Sequence, residues 1–477
     1  MFHTMISDSV PLSIQAPATS RPLGLVHPTP PAEVAAVVAR AAASQAAWAA
    51  RRAGERADIL SRAADLLGER GAELARLLAE ESGKILAQAQ FELRFSAALC
   101  RGTAERLRAL GGDLLPTGSL EGTADDIAWV RRVPLGVVAA VLPFNFPVEL
   151  LVEKAASALA MGNAVVVKPP EQDPLTVLAA IGIFLEAGVP ADVLGVVVGG
   201  AAAGAALCAD PRVAAVSLTG STRAGLAVAA VPLLRKLHLE LGGNDAAVIC
   251  RDADLDLAVP DLVFGRTLMN GQACASNKRV IVHRSLHDAL AERLAAALAR
   301  IEVGDPLDPR TGLGPLISAA AAARVAAQVA ATVQQGGRLA WGTGRADGAY
   351  FRPCLLTGVP RTAGVAGDDE IFGPVLTLIP FDTEDEAVAI ANQSSYGLSG
   401  CVFSRDWPRA LQLADRLECG GAVVNGTGNY RPFIVPFGGV KQSGLGREGL
   451  GFTLEEMSQP RYTVLRRIRT PRQEGAP

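Results

Sequence analysis

The stretch "GVVAAVLPFNFP", Gly136 to Pro147, begins as an apolar run and ends in a loop stiffened by two prolines. Four later runs are similar to its first half: "AVVVKP" from residue 164, "GVVVGG" from 195, "VAAVSLTG" from 213 and "DAAVIC" from 245. The segments between these runs carry helical spacing. Short apolar strands that alternate with helices are typical of βαβ units around a buried parallel sheet. The sequence therefore predicts an α/β fold.

The pattern changes on either side of this region. Thr29, Pro30 and Pro31 suit a helix start, and apolar residues then recur at helical spacing through about residue 110. Beyond residue 274, strand-like runs ("RVIVH", "VLTLIPF", "AVVNGT") and helical segments alternate again, which predicts a second α/β domain. The polar segment of residues 111–134 interrupts the first domain and is expected to form an arm.

Composition narrows the class of protein. The chain has 477 residues, of which 49% are hydrophobic and 19% charged, so it can bury more than one core, and two or three domains are expected. It carries 45 basic and 48 acidic residues, with no long run of one sign. A nucleic acid is therefore not expected as a partner.

Cysteine usage and the N-terminus bear on the compartment. The seven cysteines are widely spread and form no C-x-x-C pair and no cluster with histidine at metal-ligand spacing. This usage favours a reduced, cytoplasmic, metal-free protein. The first residues lack a basic segment followed by an apolar one, and the alanine-rich stretches are interrupted by Arg, Glu or Gly. Neither export nor membrane insertion is expected.

Two residues are candidates for covalent chemistry. Cys274 lies in "NGQACASNKR", among small and polar residues that leave a thiol accessible, so it is either a nucleophile or a passive side chain. Glu240, in "LELGGN", precedes a glycine pair that permits a tight turn. Its carboxylate can reach a cleft, although a solvated carboxylate at a strand start is the usual role of such a residue.

Three further segments suit ligand binding. Asn145 is held between prolines and aromatics and can donate to a developing oxyanion, or else it bonds to its own backbone in a turn. Lys168 ends a strand with Glu171 three residues later, a pair that can bind ribose hydroxyls unless the lysine is only solvated. "SLTGSTRAG" places Gly220, Ser221 and Gly225 at a helix start, where free N–H groups suit a pyrophosphate.

A second segment matches a dinucleotide-binding fingerprint but is rejected. "GLGREG", Gly444 to Gly449, satisfies G-x-G-x-x-G letter for letter. It follows "PFGGVKQS" rather than a clear strand, and no βαβ unit is recognisable after it.

Taken together, the motifs resemble the aldehyde dehydrogenase superfamily from about residue 17 to residue 467. "PFNFP", "ELGGN", "GQACASNKR", "EIFGPV" and "PFGGVKQSGLGREG" occur in that family's order, and Glu240 precedes Cys274 by 34 residues, as the family's base and nucleophile do. The resemblance implies a Rossmann-type NAD-binding domain without the usual fingerprint (1–110 and 132–241) and a catalytic domain (242–442). It also implies an oligomerisation arm (111–131 and 458–470) and a homodimer or a dimer-of-dimers tetramer.

The same resemblance implies residue roles for a hydrolytic aldehyde oxidoreductase. Cys274 would be the nucleophile, Asn145 and the Cys274 N–H the oxyanion donors and Glu240 the general base, and Lys154 matches a lysine associated with the active site. The cofactor would be NAD, with NADP as the alternative and no metal. Its expected contacts are Leu142, Pro143, Phe144, Lys168, Glu171, Gly200, Gly220, Ser221, Gly225, Leu241, Gly242, Glu370 and Phe372.

The substrate expectation rests on departures from the family pattern and on Arg431. Many members carry a second glutamate where this chain has Gly451, so a proton relay through that position is expected to be missing. Glu153 stands at a substrate-channel position, and its carboxylate weakens a preference for succinate semialdehyde. Arg431 precedes the "PFGG" segment, where it can clamp an anion or merely pair with a carboxylate.

The C-terminal stretch is similar to the branch containing lactaldehyde, phosphonoacetaldehyde and non-phosphorylating glyceraldehyde-3-phosphate dehydrogenases. A small polar or anionic aldehyde is expected. Two other functions stay open at this point. One is a CoA-acylating enzyme, which an intact "ELGGN" disfavours because such members commonly lack the glutamate base. The other is a catalytically idle binding protein on the same fold.

Overall fold

The computed structural model describes residues 10–468. Its helices are α1 (Pro31–Ala49), α2 (Ala53–Glu69), α3 (Gly71–Ser82), α4 (Leu86–Arg108), α5 (Pro147–Leu151), α6 (Ser157–Ala160), α7 (Pro174–Ala187), α8 (Ala201–Ala209), α9 (Thr222–Ala229), α10 (Leu255–Thr267), α11 (His287–Leu298), α12 (Ala319–Gln334), α13 (Glu384–Asn392), α14 (Trp407–Asp415) and α15 (Phe452–Glu456). Its strands are β1 (Leu12–Gln15), β2 (Pro22–Val26), β3 (Asp113–Leu115), β4 (Ile127–Pro134), β5 (Val137–Val141), β6 (Ala164–Lys168), β7 (Leu194–Val196), β8 (Val213–Thr219), β9 (Lys236–Glu240), β10 (Ala246–Ile249), β11 (Arg279–His283), β12 (Arg338–Trp341), β13 (Ala346–Asp347), β14 (Tyr350–Phe351), β15 (Cys354–Thr357), β16 (Val375–Phe381), β17 (Tyr396–Gly397), β18 (Ser399–Phe403), β19 (Gly421–Val424), β20 (Val440–Lys441), β21 (Gly444–Leu445) and β22 (Ser458–Leu465).

The first sheet has the order β21-β9-β8-β5-β6-β7 and is parallel except at β21. Its central strands are short runs of Val and Ala that are buried on both faces, as the sequence predicts. Helix α1 packs on β5, β6 and β7, while α8 packs on β5 and β8. Because the strands are parallel, β5, β6, β8 and β9 all end at one edge, where the functional loops lie.

The second sheet has the order β12-β15-β16-β11-β10-β18-β19 and is parallel except at β12. Alternate residues of its strands enter two separate cores: Val248 and Ile281 pack on one face, and Ala247 and Val280 on the other. The segment of residues 241–245 joins β9 of the first sheet to β10 of the second. The loop that carries Cys274 enters this second sheet at β11.

A third sheet, with the order β22-β4-β3, is antiparallel. It is built from the polar segment expected to form an arm and from the strand near the C-terminus. Apolar side chains on it are exposed, among them Leu114, Ile127, Tyr462 and Leu465. Residues 1–9 of the expected first domain and residues 469–470 of the expected arm lie outside the described part of the chain.

Several local expectations are confirmed. Helix α1 begins at Pro31, and the helical region continues to Arg108. One interpretation is incomplete: the sequence suggests a strand start at Glu240, whereas Glu240 ends a strand, Lys236–Glu240, that pairs with β8 and β21. Gly444 pairs with Glu240 in β21 rather than opening a helix, which agrees with the rejection of "GLGREG" as a fingerprint.

Across residues 10–468, no helix is both long enough and apolar enough to cross a bilayer. The same residues contain no group of three or more His, Cys, Asp or Glu side chains arranged to hold a metal ion.

Candidate active site

The loop before Cys274 adopts an unusual backbone conformation. Met269, Asn270 and Gly271 all have positive φ, at 51°, 56° and 82°. A Cβ at Gly271 would lie 2.3 Å from the carbonyl carbon of Gly373 and 2.3 Å from the nitrogen of Pro374, so only glycine permits this approach. Left-handed non-glycine residues persist only where their surroundings impose them. The loop is therefore held in place by the "EIFGPV" segment.

Hydrogen bonds fix this loop from both sides. The Asn270 amide donates to the carbonyls of Gly83 (2.8 Å) and Pro315 (2.7 Å) and accepts from the Gly314 N–H (2.8 Å). Arg266, at the end of α10, is buried and donates to the carbonyls of Val375 and Ile371 (2.6 Å each) and to the Ser276 hydroxyl (2.7 Å). Sequence reasoning missed Arg266, since a lone arginine in a helix gives no sign of what it contacts.

Glu240 and Cys274 come together where the two sheets meet. Glu240 ends β9 and is 3% exposed, while Cys274 is partly exposed. Burial and the nearby Glu448 carboxylate raise the pKa of Glu240 to about 8, against the opposing effects of Arg431 and of contact with the Cys274 thiol. Its Oε1 atom has no hydrogen-bond partner among the described residues. A buried carboxylate with an unoccupied oxygen beside a thiol is equipped to accept a proton.

The pKa of the Cys274 thiol is raised, whereas an activated cysteine nucleophile has a lowered pKa. Burial, followed by the Glu240 carboxylate, raises the pKa of Cys274 well above its ordinary value, while Lys278 and Arg431 lower it. The resting cysteine is therefore a thiol, and forming the thiolate needs a proton acceptor. Glu240 is the carboxylate placed to fill that role.

Asn145 contacts the loop that carries Cys274. Its Nδ2 donates to the carbonyl of Gln272 (2.9 Å), two residues before Cys274, so one of its two N–H groups is directed to the nucleophile loop. The loop that carries Asn145 is also fixed where it enters α5. Glu92 accepts the N–H groups of Val148 (3.0 Å) and Glu149 (3.2 Å) at the start of α5.

A buried ion pair completes this support. Lys84 pairs with Glu92, and both side chains are almost fully buried. The Lys84 ammonium also lies 4.2 Å from the centroid of the Phe146 ring. Sequence reasoning missed this pair, because the two residues lie far from the loop in the chain.

Lys154 occupies a π-helical turn, Val152–Ala156, between α5 and α6. Single π-turns inside helices often occur at functional sites. The buried Lys154 ammonium lies 2.6 Å from Glu448, and Arg431 lies 3.0 Å from the other oxygen of that carboxylate. Burial alone would raise the pKa of Glu448, but Lys154 and Arg431 hold it below its usual range.

The expectation about Gly451 concerns a relay through that position, and it stays a prediction. The structure places Glu448 directly on Lys154 and close enough to Glu240 to raise its pKa. A buried carboxylate next to Lys154 is therefore present without any side chain at residue 451.

Glu153 and Arg431, the two residues on which the substrate expectation rests, differ in their surroundings. Glu153 is buried, and its carboxylate accepts from the Gly449 N–H (3.0 Å) and the Thr453 hydroxyl, so it is engaged away from any opening. The Arg431 side chain is 18% exposed and lies 3.5 Å from Glu149 as well as 3.0 Å from Glu448. It also lies over the Phe437 ring, 4.1 Å from the centroid. Arg431 is thus already paired with two carboxylates.

The edge of the first sheet forms the region expected to hold the adenosine half of a dinucleotide. The buried Leu142 N–H donates to the Lys168 carbonyl (3.0 Å), which keeps the ends of β5 and β6 in register. The Lys168 ammonium donates to the Pro169 carbonyl (3.0 Å). A Cβ at Gly200, the residue before α8, would lie 2.9 Å from the Glu171 carboxylate. The structure therefore brings Lys168, Glu171 and Gly200 together.

The start of α9 forms a second part of the expected dinucleotide site. Gly220 follows β8, and Ser221 caps α9 by accepting the Ala224 N–H (3.3 Å). A Cβ at Gly225 would lie 2.5 Å from the Leu241 side chain, so this glycine permits close packing of helix on strand. The buried Thr219 Oγ1 has no partner among the described residues. These features fit a polar ligand at this helix start.

The part of the site that is expected to hold the nicotinamide lies next to Cys274. The rings of Phe144 and Phe372 meet edge to face, with centroids 6.0 Å apart, beside Pro143 of the "PFNFP" loop. A Cβ at Gly242 would lie 2.8 Å from the Glu370 carboxylate, so glycine leaves room for that side chain. The Lys278 ammonium contacts both Glu370 (3.0 Å) and the Cys274 carbonyl. Sequence reasoning missed Lys278, although it lies within the quoted "GQACASNKR".

The other six cysteines are free thiols. Cys100, Cys208, Cys250, Cys354 and Cys401 are buried, and Cys419 is partly exposed. The five buried ones act as small packed side chains.

Comparisons with known proteins identify the family of this chain. The model of the aldehyde dehydrogenase family matches residues 6–463. A 3-sulfolactaldehyde dehydrogenase of Priestia aryabhattai is 38% identical over 86% of this chain and 86% of its own length. The structure of an NADP-dependent glyceraldehyde-3-phosphate dehydrogenase from Bacillus halodurans C-125 complexed with NADP aligns with a TM-score of 0.93 and 35% identity, over 96% of both chains. That of an NAD-dependent aldehyde dehydrogenase from Sinorhizobium meliloti aligns with a TM-score of 0.92 and 34% identity, over 98% of this chain and 93% of the other. Since the matched region spans the loops of Cys274, Glu240 and Asn145, this chain belongs to the aldehyde dehydrogenase family.

Proposed function

We propose that this enzyme oxidises an aldehyde to the carboxylic acid by a hydrolytic route, with NAD(P) as hydride acceptor. The observation that carries the proposal is the buried Glu240 carboxylate, which has an unpartnered oxygen and touches the Cys274 thiol. An enzyme that hydrolyses a thioester needs such a base beside its nucleophile.

In the acylation half, Cys274 adds to the aldehyde carbonyl and forms a carbon–sulfur bond. Glu240 accepts the thiol proton, because the raised pKa of the thiol keeps it protonated at rest. The new oxyanion is stabilised by the Cys274 N–H and the Asn145 amide, which the Gln272 carbonyl orients. A bound nicotinamide dinucleotide supplies the acceptor for the hydride whose loss leaves a thioester on Cys274.

Before the deacylation half, Glu240 releases the thiol proton to solvent. It then takes a proton from water, and the resulting hydroxide attacks the thioester. The carbon–sulfur bond breaks, the carboxylic acid leaves and Cys274 recovers a proton. Lys154 and Glu448 form a buried pair next to this base, so they set its electrostatic surroundings. No step of this route needs a side chain at residue 451.

The proposed cofactor contacts come from the adenosine side and the nicotinamide side of the expected dinucleotide site. Lys168 and Glu171 would hold the adenosine ribose beside Gly200, and Ser221 with Gly220 and Gly225 the pyrophosphate. Leu142, Pro143, Phe144, Leu241 and Gly242 would line the cavity, and Glu370 and Phe372 would hold the nicotinamide ribose and ring. The glycine positions and the unpartnered Thr219 hydroxyl support this assignment.

Two alternative functions are separated by one assay. A CoA-acylating enzyme would resolve the thioester with a thiol, and an idle protein on the same fold would form no NADH. NADH production from a panel of short aldehydes, measured with and without coenzyme A, distinguishes the three. The proposal requires turnover without coenzyme A and release of the free acid, while a strict requirement for coenzyme A would establish the acylating route.

The proposed substrate is a short polar or anionic aldehyde. Arg431 supports this, since it is partly exposed and close enough to Cys274 to lower the pKa of its thiol. The names of two relatives, a 3-sulfolactaldehyde dehydrogenase and a glyceraldehyde-3-phosphate dehydrogenase, both denote short anionic substrates. Glu149 opposes an anion, because its carboxylate already lies 3.5 Å from Arg431.

The domain division and the oligomer are also proposals. The two large sheets support an NAD-binding domain of residues 1–110 and 132–241 and a catalytic domain of residues 242–442. The exposed apolar side chains of the third sheet support an arm of residues 111–131 and 458–470 that joins subunits into a homodimer or a dimer-of-dimers tetramer.

The first prediction separates the two halves of the reaction. Cys274→Ala should lower turnover by about three orders of magnitude or more while the cofactor still binds. Glu240→Gln should release a burst of about one NADH per subunit and then stall, because acylation precedes its step. Rapid-mixing absorbance measures both, and Cys419→Ala, which alters another partly exposed cysteine, is the control. Steady turnover by the Cys274 variant would exclude it as the nucleophile.

The second prediction concerns pH. With a pKa of about 8, Glu240 is protonated at lower pH and cannot accept a proton from water. The deacylation rate should therefore rise with pH through about 8 and fall about tenfold per unit below it. Single-turnover release of acid from a preformed acyl-enzyme, followed between about pH 6 and about pH 10, measures this rate. A flat profile in the wild type would contradict the assignment of the base.

The third prediction is a preference for NAD over NADP. A carboxylate at Glu171 binds ribose hydroxyls but repels a 2′-phosphate, while Lys168 beside it attracts one. Glu171→Gln should raise kcat/KM for NADP about tenfold, equivalent to ~1.4 kcal/mol. Glu186→Gln, which alters an exposed carboxylate near the end of α7, is the control. Equal use of both cofactors by the wild type would refute the preference.

The fourth prediction concerns the substrate. A bidentate contact between Arg431 and an anion is worth on the order of 2–3 kcal/mol, so Arg431→Ala should raise KM for an anionic aldehyde tens-fold and spare propionaldehyde. Glu149→Gln should lower that KM about fivefold, since it removes a competing carboxylate. Glu153→Gln is the matched control, because its carboxylate is engaged by Gly449 and Thr453. Equal effects on charged and neutral aldehydes would rule out the clamp.

A further inference from the structure

A buried lysine links the nucleophile loop to the carboxylate expected to bind the nicotinamide ribose. Lys278 is 2% exposed, and its ammonium lies 3.0 Å from Glu370 Oε1. The same ammonium donates to the backbone carbonyl of Cys274 at 2.5 Å. One side chain therefore contacts both the loop of the nucleophile and a residue on the cofactor side of the site.

This contact is energetically significant because a buried ammonium needs a compensating charge. Glu370 supplies that charge and is itself partly exposed, with 19% of its side chain accessible. The Glu370 carboxylate is further placed by the Gly243 N–H (3.4 Å) and by the room that Gly242 leaves. The pair thus fixes the position of a carboxylate that would otherwise have freedom to turn.

The backbone of Lys278 is also fixed by a hydrogen bond. Its carbonyl accepts a hydrogen bond from the Thr377 hydroxyl (2.6 Å), and the Phe372 ring lies 5.8 Å from its ammonium. The lysine is therefore anchored at both ends, next to "EIFGPV" at one end and at the start of β11 at the other. Such anchoring makes its contact with the Cys274 carbonyl a fixed one.

We propose that Lys278 is a positioning residue that couples Glu370 to the Cys274 loop: it presets the ribose-binding carboxylate and keeps a positive charge beside the nucleophile. This inference rests on the proposed function, since it takes Glu370 as a ribose contact. It adds a role for a residue that does not touch the aldehyde.

The charges that face the Cys274 thiol show what Lys278 contributes. Two carboxylates, Glu240 and Asp245, disfavour the thiolate, and two cations, Lys278 and Arg431, favour it. Arg431 is already paired with Glu448 and Glu149, so its charge is shared between them. Removing Lys278 would leave the two carboxylates opposed by Arg431 alone. The charge on Glu370 in turn masks part of the charge on Lys278.

The first experiment measures the thiol without cofactor or turnover. In a Cys419→Ala background, which removes the other partly exposed thiol, the rate of Cys274 alkylation by iodoacetamide is followed against pH. Lys278→Met should shift the profile to higher pH, and Lys278→Arg should restore most of it. Glu370→Gln should shift it to lower pH, because it unmasks the lysine. Identical profiles for all four proteins would overturn the electrostatic part of the proposal.

The second experiment measures binding. Lys278→Met should weaken NAD binding about tenfold and leave AMP binding unchanged, since AMP carries only the adenosine half of the cofactor. Combining Lys278→Met with Glu370→Gln should weaken NAD binding no further than either change alone. Equal losses for NAD and AMP would mean a general structural role and would overturn positioning.

These outcomes separate the inference from the proposed function. If Glu370→Gln weakens NAD binding but Lys278→Met does not, the ribose contact holds and the coupling fails. If neither variant changes NAD binding, the assignment of Glu370 fails as well. Should Lys278→Met not fold, the shift of the alkylation profile in Glu370→Gln still decides the question, because that protein keeps the lysine.

Discussion

The active site depends on a backbone contact at Gly271. At this glycine the nucleophile loop lies against Gly373 and Pro374, with no space for a side chain between them. The left-handed Met269 and Asn270 are strained conformations, which the bonds of Asn270 and the buried Arg266 hold in place. The position of Cys274 is thus fixed by packing and hydrogen bonds far from the thiol. This rigidity explains how a cysteine in a glycine- and alanine-rich segment has a defined orientation.

Around this fixed loop, charge is distributed in a way that suits proton transfer. Glu240 lies beside the thiol with one oxygen unpartnered, while Lys154, Arg431 and Glu448 form a compact buried network behind it. Buried charges are tolerated only when they are paired, so each member of this network restrains the others. Lys154 and Arg431 keep Glu448 ionised, while burial and the Glu448 carboxylate together raise the pKa of Glu240. Proton affinity is thereby concentrated on the residue next to the reacting atoms.

The sequence was sufficient for the fold, and it nominated side chains that the structure brings close together, but it did not indicate what supports them. Strands β5, β6 and β8 were predicted because buried parallel strands are continuous apolar runs. Cys274, Glu240 and Asn145 were found because their motifs occur in order along the chain. Lys278, Arg266 and Glu92 were missed, because their partners are backbone groups or residues distant in sequence. Glu448 was missed for a related reason: its contact with Lys154 exists only in the folded chain.

The π-helical turn of residues 152–156 has a consequence for engineering. A π-turn holds one more residue than the α-helical turn it replaces, so the helical segment from Pro147 to Ala160 contains, in effect, a tolerated insertion. Deleting one residue there would restore a regular helix and leave the residues on either side in phase, but it would turn the side chains within the turn itself. Lys154 would then no longer face Glu448. Chimeras that exchange this segment must therefore conserve its length as well as its chemistry, and a transplanted helix of ordinary periodicity would not carry the lysine to the same place.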